Sequence, residues 1–278
     1  MVRAMTGKAM ISAGILARWC LLALACLGSV AFLALPAAAR DRLPPKPVES
    51  GVATSIVDGD TLILRSGVQV RLVGIQAPKL PLGRRGFVAW PLADESKAAL
   101  AHLTAGKKLA LSYTGRKSDR HGRLLAHLAT ADGTWVQGKL LREGMARVYT
   151  FPDNRARAVA MLEHERSARK ARRGIWALRY YRIRSVDNLR RDIGTFQIIE
   201  GTVMKSAVVR GRVFLNFGQN WRTDFTISIS PKWRRRHWRD GPSVASYEGR
   251  KIRVRGWLKS YNGPLIEATH PEQIELLP

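Results

Sequence analysis

The chain has 278 residues, with 47 Lys and Arg against 21 Asp and Glu, for a formal net charge of +26. That length allows one large or two small cores. The cationic excess recurs along the chain and points to a polyanionic partner, with nucleic acid ahead of an anionic membrane surface or another polymer. Only two cysteines are present, Cys20 and Cys26, which excludes a disulfide scaffold or a cysteine zinc site beyond that segment.

Arg3, Lys8 and Arg18 lead into an apolar run over residues 19–35 that has no charge, and Ala37, Ala38 and Ala39 stand before Arg40. This is the pattern of an export signal over residues 1–39, with cleavage expected after Ala39 and a periplasmic or extracellular destination. The small-residue site favours cleavage over an uncleaved anchor, although the run approaches the roughly 17–25 residues that span a bilayer. Lipid attachment at Cys26 is a lesser alternative, because the apolar run before it is short. Pro44, Pro45 and Pro47 make residues 40–50 an extended spacer.

The first domain is expected over residues 51–176. Two alternating runs, 62–65 and 68–75, joined through Ser66 and Gly67, predict a hairpin. Ala98, Ala99 and Leu103 then recur at helical spacing and predict a helix over 94–105 that stops at Gly106. Strand patterns return at 108–113, 124–129 and 134–136. Val136, Leu140, Leu141, Met145 and Val148 predict a second helix, and Ala158, Met161, Leu162, Glu165 and Ala168 predict a third within 154–173. Five short strands with three helices describe a mainly β fold with α, an OB-type five-stranded barrel with helical additions.

Residues 177–194 are basic and aromatic and read as a linker. Residues 195–278 are again strand-rich, with runs at 198–204, 213–217, 225–229, 251–258 and 265–268 separated by Gly, Pro and Asn. They predict a second small β domain, for which an OB-like barrel is the nearest architecture. Within it Trp233, Arg234, Arg235, Arg236 and Trp238 interleave cations with aromatic rings. Such a surface can follow a phosphate backbone and stack bases, and the competing reading is a solvated basic turn whose tryptophans pack inward.

Four short patterns stand in order along the first domain: Val57-Asp58-Gly59-Asp60-Thr61, Val70-Arg71-Leu72-Val73-Gly74-Ile75-Gln76-Ala77-Pro78, Ser118-Asp119-Arg120-His121-Gly122-Arg123 and Gly174-Ile175-Trp176. Together they resemble the staphylococcal nuclease (thermonuclease) family. The resemblance implies a calcium-dependent phosphodiester hydrolase that acts on nucleic acid. Its metal is held by two aspartates and a backbone carbonyl, a glutamate acts on water, and two arginines grip the phosphate. Carried onto this chain, it implies Asp60 at one metal position, Gln76 at the other, Ala77 as the carbonyl, Lys79 at the glutamate, and Arg71 and Arg123 as the clamps.

Gln76 and Lys79 depart from the pattern. Calcium favours anionic oxygen, so an amide in place of one carboxylate and an ammonium in place of another both weaken its binding. An ammonium also cannot accept a proton, so the family's route to hydrolysis is expected to be impaired. What remains is an anion-binding half, in which guanidinium forks match phosphate oxygens and Lys79, Arg84, Arg85 and His121 enlarge the positive surface. The preferred expectation is an exported binder of nucleic acid or another polyanion with weak or no hydrolysis. A calcium-dependent nuclease and a non-catalytic envelope protein are the two rivals. Asp58 is read as a turn residue, and Asp94 and Glu95 as helix-start acids rather than substitute bases.

Overall fold

The computed structural model describes residues 48–239 and 243–278. The expected export signal lies outside them, and among the described residues no helix is long and apolar enough to cross a membrane.

Strands β1 (Glu49–Asp58), β2 (Thr61–Leu64), β3 (Gln69–Leu72), β5 (Lys108–Ser112) and β6 (Leu124–Ala129) form a closed barrel in the order β1-β2-β3-β6-β5. All its pairings are antiparallel except β3 with β6. Alternation explains the closure. Ala53, Leu62, Leu64, Val70, Leu72, Leu109, Leu111, Ala126 and Leu128 turn inward and are buried, as period-two patterning requires. Two short strands, β4 (Ile75–Gln76) and β7 (Arg147–Val148), pair beside the barrel.

Three helices cover this barrel: α1 (Ala93–Thr104), α2 (Val136–Arg142) and α3 (Ala158–Lys170). Asp94 and Glu95 sit in the first turn of α1, where the helix dipole favours them, but no side chain caps that end. The second helix is shorter than its periodicity predicts. It ends at Arg142 because Gly144 takes φ 70°, and Val148 belongs to β7 instead. The third starts at Ala158 rather than near 154, and the predicted strand at 134–136 is a single bridge between Ala129 and Trp135. The Gly174-Ile175-Trp176 pattern has a steric cause. The Ile175 amide donates to the Gly144 carbonyl at 2.9 Å, and a Cβ on Gly174 would lie 2.3 Å from that same oxygen.

Within the residues expected as a linker, several side chains are packed. Tyr181 is buried and donates to the Pro91 carbonyl at 2.7 Å, Leu189 is buried, and β8 (Arg184–Ser185) adds to the second sheet.

That sheet has eight strands: β8, β9 (Phe196–Thr202), β10 (Lys205–Val209), β11 (Arg212–Asn216), β12 (Thr226–Ile229), β13 (Lys251–Ser260), β14 (Pro264–Glu267) and β15 (Ile274–Leu276). Only Val203 and Met204 separate β9 from β10. Taken as one bent strand, they pair β11 at one end and β13 at the other, through β11-β12-β14-β13, with β12 and β14 parallel. This is the strand path of the first barrel repeated, which gives the OB-like expectation its content. The interleaved basic and aromatic residues there form a short helix, α4 (Pro231–His237).

The two cores meet at a buried ion cluster. Arg255 of β13 is 1% exposed and pairs with Glu165 of α3 at 3.0 Å and with Glu275 of β15 at 2.6 Å. Burial opposes ionisation of Glu275, yet Arg255 and its neighbours Arg169 and Arg253 hold that carboxyl below the usual range. Thr150 and His270 meet across the same boundary at 2.8 Å.

Candidate nucleic-acid interface

β1 ends at Asp58 and β2 starts at Thr61, so Asp58, Gly59 and Asp60 form the turn between paired strands. Gly59 is required there, since a Cβ would lie 2.1 Å from Ser96 Oγ and 2.7 Å from the Ala77 methyl. The turn is cinched by the Asp60 amide, which donates to Asp58 Oδ1 at 3.0 Å. It points Asp60, fully buried, at the segment after β4, where the Ala77 amide donates to its Oδ2 at 2.7 Å.

Lys79 closes this floor. Its Nζ lies 2.9 and 2.8 Å from the two oxygens of Asp60 and 3.2 Å from Asp58 Oδ2. Burial alone would raise the carboxyl of Asp60, but the cations of Arg71 and Lys79 bring it down to about 2. The Asp58 carboxyl is pushed up, by burial first and by the charge of Asp60 second.

Arg71 sits where β3 runs past the turn, and its fork is turned to the interior. Nη1 donates to the Leu72 carbonyl at 2.7 Å, Nη2 donates to the Ile75 carbonyl at 2.7 Å, and Nη2 pairs with Asp60 at 3.2 Å. Arg71, the expected clamp, here spends its fork on the cleft floor, against two main-chain carbonyls and Asp60. Gln76 is likewise committed. Its Oε1 accepts from Arg147 Nε at 2.9 Å and from Nη2 at 2.7 Å, with the Arg147 guanidinium lying over the Phe196 ring at 4.7 Å.

These donors do not fit calcium. The ion needs about six to eight oxygens, whereas both oxygens of Asp60 face an ammonium and the Gln76 oxygen faces a guanidinium. Among the described residues no group of three or more His, Cys, Asp or Glu side chains gathers for a metal. A divalent ion at Asp60 would have to displace Lys79 and stand beside Arg71.

Above the floor opens a cleft of about 790 Å³, lined by six cationic side chains and three carboxylates. The cations are Arg71, Lys79, Arg84, Arg116, Arg120 and Arg123, and the acids are Asp58, Asp119 and Asp153. Arg123 is held by Asp119, which accepts from its Nε at 2.8 Å and from its Nη2 at 2.7 Å. Asp119 Oδ1 also accepts the His121 and Arg123 amides, folding the loop back on itself. Burial disfavours its charge, yet Arg123 and those amides hold the Asp119 carboxyl below the usual range. His121 is exposed at the rim. Arg84 donates to the Leu80 and Pro81 carbonyls and lies 3.7 Å over the Phe87 ring, so its charge is fixed at the cleft edge.

Some expected contacts are not brought here. Arg85 is exposed away from the cleft lining. Trp238 is buried at 8% in the second core, and Trp233 packs against that core with its ring stacked on His237 at 5.7 Å. The inward packing leaves Arg235 and Arg236 as solvated helix cations and Arg234 half-buried, with Trp233 half-buried beside them. Conversely, Tyr149, Phe151 and Trp257 line the cleft, Arg147 holds Gln76 behind it, and no sequence pattern singled them out. The one available signal was the spacing of two between Tyr149 and Phe151, which puts both rings on one side of an extended segment.

Residues 69–178 match the family model described as staphylococcal nuclease homologue. The chain is 32% identical over 130 residues to an uncharacterized endonuclease of Escherichia coli O157:H7, covering 46% of this chain and 76% of that protein. It is 30% identical over 135 residues to the thermonuclease of Staphylococcus intermedius, with the same two coverages. To the thermonuclease of Staphylococcus hyicus it is 29% identical over 126 residues, covering 44% of this chain and 72% of the relative.

Proposed function

The chain belongs to the staphylococcal nuclease family, and from that premise we propose that it is an exported protein that holds nucleic acid without metal-dependent cleavage. One observation carries the reading: Lys79 Nζ lies within 3.2 Å of both Asp58 and Asp60. The floor is thereby neutralised by a cation that belongs to the chain. The family is typically calcium-dependent, and a tethered ammonium competes with a free ion for the same oxygens at no cost in translational entropy.

Binding then rests on the outward cations. Arg123, with Arg84, Arg116 and Arg120, faces solvent around the cleft, and a guanidinium fork meets phosphate oxygens in pairs. The high net charge adds long-range attraction for a polyanion. The family's route to hydrolysis lacks its proton acceptor at position 79, where the chain carries an ammonium, and the carboxylate of Asp58 is already engaged by Lys79 and the Asp60 amide.

The test is incubation of the purified chain from residue 40 with single- and double-stranded DNA, first with calcium and then with chelator. Retention that weakens with salt, and no cleavage under either condition, is the expected result. Calcium-dependent turnover by the unmodified chain overturns the reading, and absence of both retention and cleavage points to the envelope alternative. The paired change Gln76→Asp and Lys79→Glu is expected to create calcium binding, measured by calorimetry, that the parent lacks.

A further inference from the structure

The cleft is not closed by the first barrel alone. Trp257 of β13 lines it beside Tyr149 and Phe151, so one wall comes from the second barrel. The indole Nε1–H donates to Tyr149 Oη at 2.9 Å, which satisfies its only polar group. Even so, 47% of Trp257 and 50% of Phe151 stay in contact with solvent. Tyr149 between them is wedged edge-on against Phe151 and Phe196, each at 4.9 Å between centroids.

The indole is placed by rigid elements. On β13 the outward positions are Arg253, Arg255 and Trp257, two residues apart. Arg255 is fixed by Glu165 and reaches the Val148 carbonyl at 3.4 Å, and one step along the same face Trp257 reaches Tyr149. Consecutive outward residues of β13 thus dock on consecutive residues 148 and 149 of the first barrel. Across the sheet Trp257 pairs with Phe196, whose ring braces Tyr149. The result is a preorganised aromatic surface next to a ring of cations, which is the combination that recognises a nucleotide: cations for the phosphate, flat apolar faces for the base.

We propose that Trp257, with Phe151, stacks an unpaired base of the strand whose phosphates the cleft holds, so that the second barrel completes the nucleic-acid site. The proposal rests on the cleft holding nucleic acid. It separates from that reading because the cations attract any phosphate chain, whereas the rings act only on a chain that carries bases.

The experiment titrates the chain from residue 40 with an oligothymidylate and with an abasic strand of equal length and charge, read by fluorescence anisotropy. The unmodified chain is expected to bind the base-bearing strand about 5- to 100-fold more tightly, the range of a single stacked base. Trp257→Ala is expected to lose most of that margin and keep its affinity for the abasic strand, while Trp257→Phe retains most of the margin. An equal affinity of the unmodified chain for both strands overturns the proposal without any variant, as does a margin that survives Trp257→Ala. In either case the phosphate-holding reading still stands, whereas if neither strand is bound both readings fall.

Discussion

Two clusters of opposite charges withdraw carboxylates from water in this molecule, and they differ in what lies on their open side. Between the barrels, Glu165 and Glu275 surround Arg255, and the three keep 0%, 9% and 1% of their exposure. In the cleft, Asp58 and Asp60 meet Lys79 and Arg71, and the Lys79 side chain keeps 20% of its exposure. The same pairing chemistry therefore has two outcomes. Where solvent is excluded, each charge is needed to keep the others tolerable. Where solvent reaches one partner, water can replace part of what a substitution removes, and the cluster is open to exchange.

The comparison can be broken at its strongest point first. Replacing Arg255 by Met takes the nearest cation from two buried carboxylates and leaves them only the longer pairs with Arg166, Arg169 and Arg253, so a loss toward the lower end of about 3–5 kcal/mol is expected, read as the shift in urea midpoint. A loss below about 1 kcal/mol would mean that the interior relaxes enough to hydrate Glu165 and Glu275. Lowering the pH sharpens the same contrast. Burial, and then the cations of Arg155, His237 and Arg255, push buried His270 down to about 3. The unfolded chain takes up that proton first, so the contribution of neutral His270 is complete above its ordinary value of 6.5 and is lost as pH falls toward 3. At pH 4.5 the cost is about 2–3 kcal/mol, and His270→Asn should flatten that limb of the stability curve. Asp60, held at about 2, keeps its contribution until the pH falls below its ordinary 3.8, and the contribution is lost as pH passes through 2. The boundary between the barrels should thus loosen at a pH where the Asp60 pairs of the cleft floor are intact. The smallest effect is expected for Lys79→Met, about 1–2 kcal/mol, since Arg71 still pairs with Asp60. A loss equal to that of Arg255→Met would show that the cleft cluster is as structural as the buried one.

The barrel was legible because its signals are local. Alternation in β2, β3, β5 and β6, the turn glycines and the helical spacing in α1 are properties of a few adjacent residues, and three of the four ordered patterns fall along the cleft. The charge partners were not legible in that way. Lys79 reads as a lost glutamate in the sequence, and only the fold brings it 19 residues back to Asp60. Arg71 reads as a clamp, and only strand packing turns its fork toward Leu72 and Ile75. Trp238 looks like a stacking residue until the end of α4 sets it in the core, and Trp257 carries no signal within the strand run 251–258 until the outer face of β13 emerges beside Tyr149. Contacts between residues about a hundred positions apart leave no periodicity to read, and they define one side of this cleft.

Because a single strand, β13, carries both Arg255 and Trp257 on one face, its register ties how the molecule holds together to what its cleft offers a ligand. A one-residue slip there would turn both side chains toward the opposite face at once. A chain trimmed to the first barrel would keep every family pattern while leaving Glu165 with its main counter-charge gone and the cleft open on one flank. The smallest unit that preserves the site is therefore larger than the stretch by which the family is recognised.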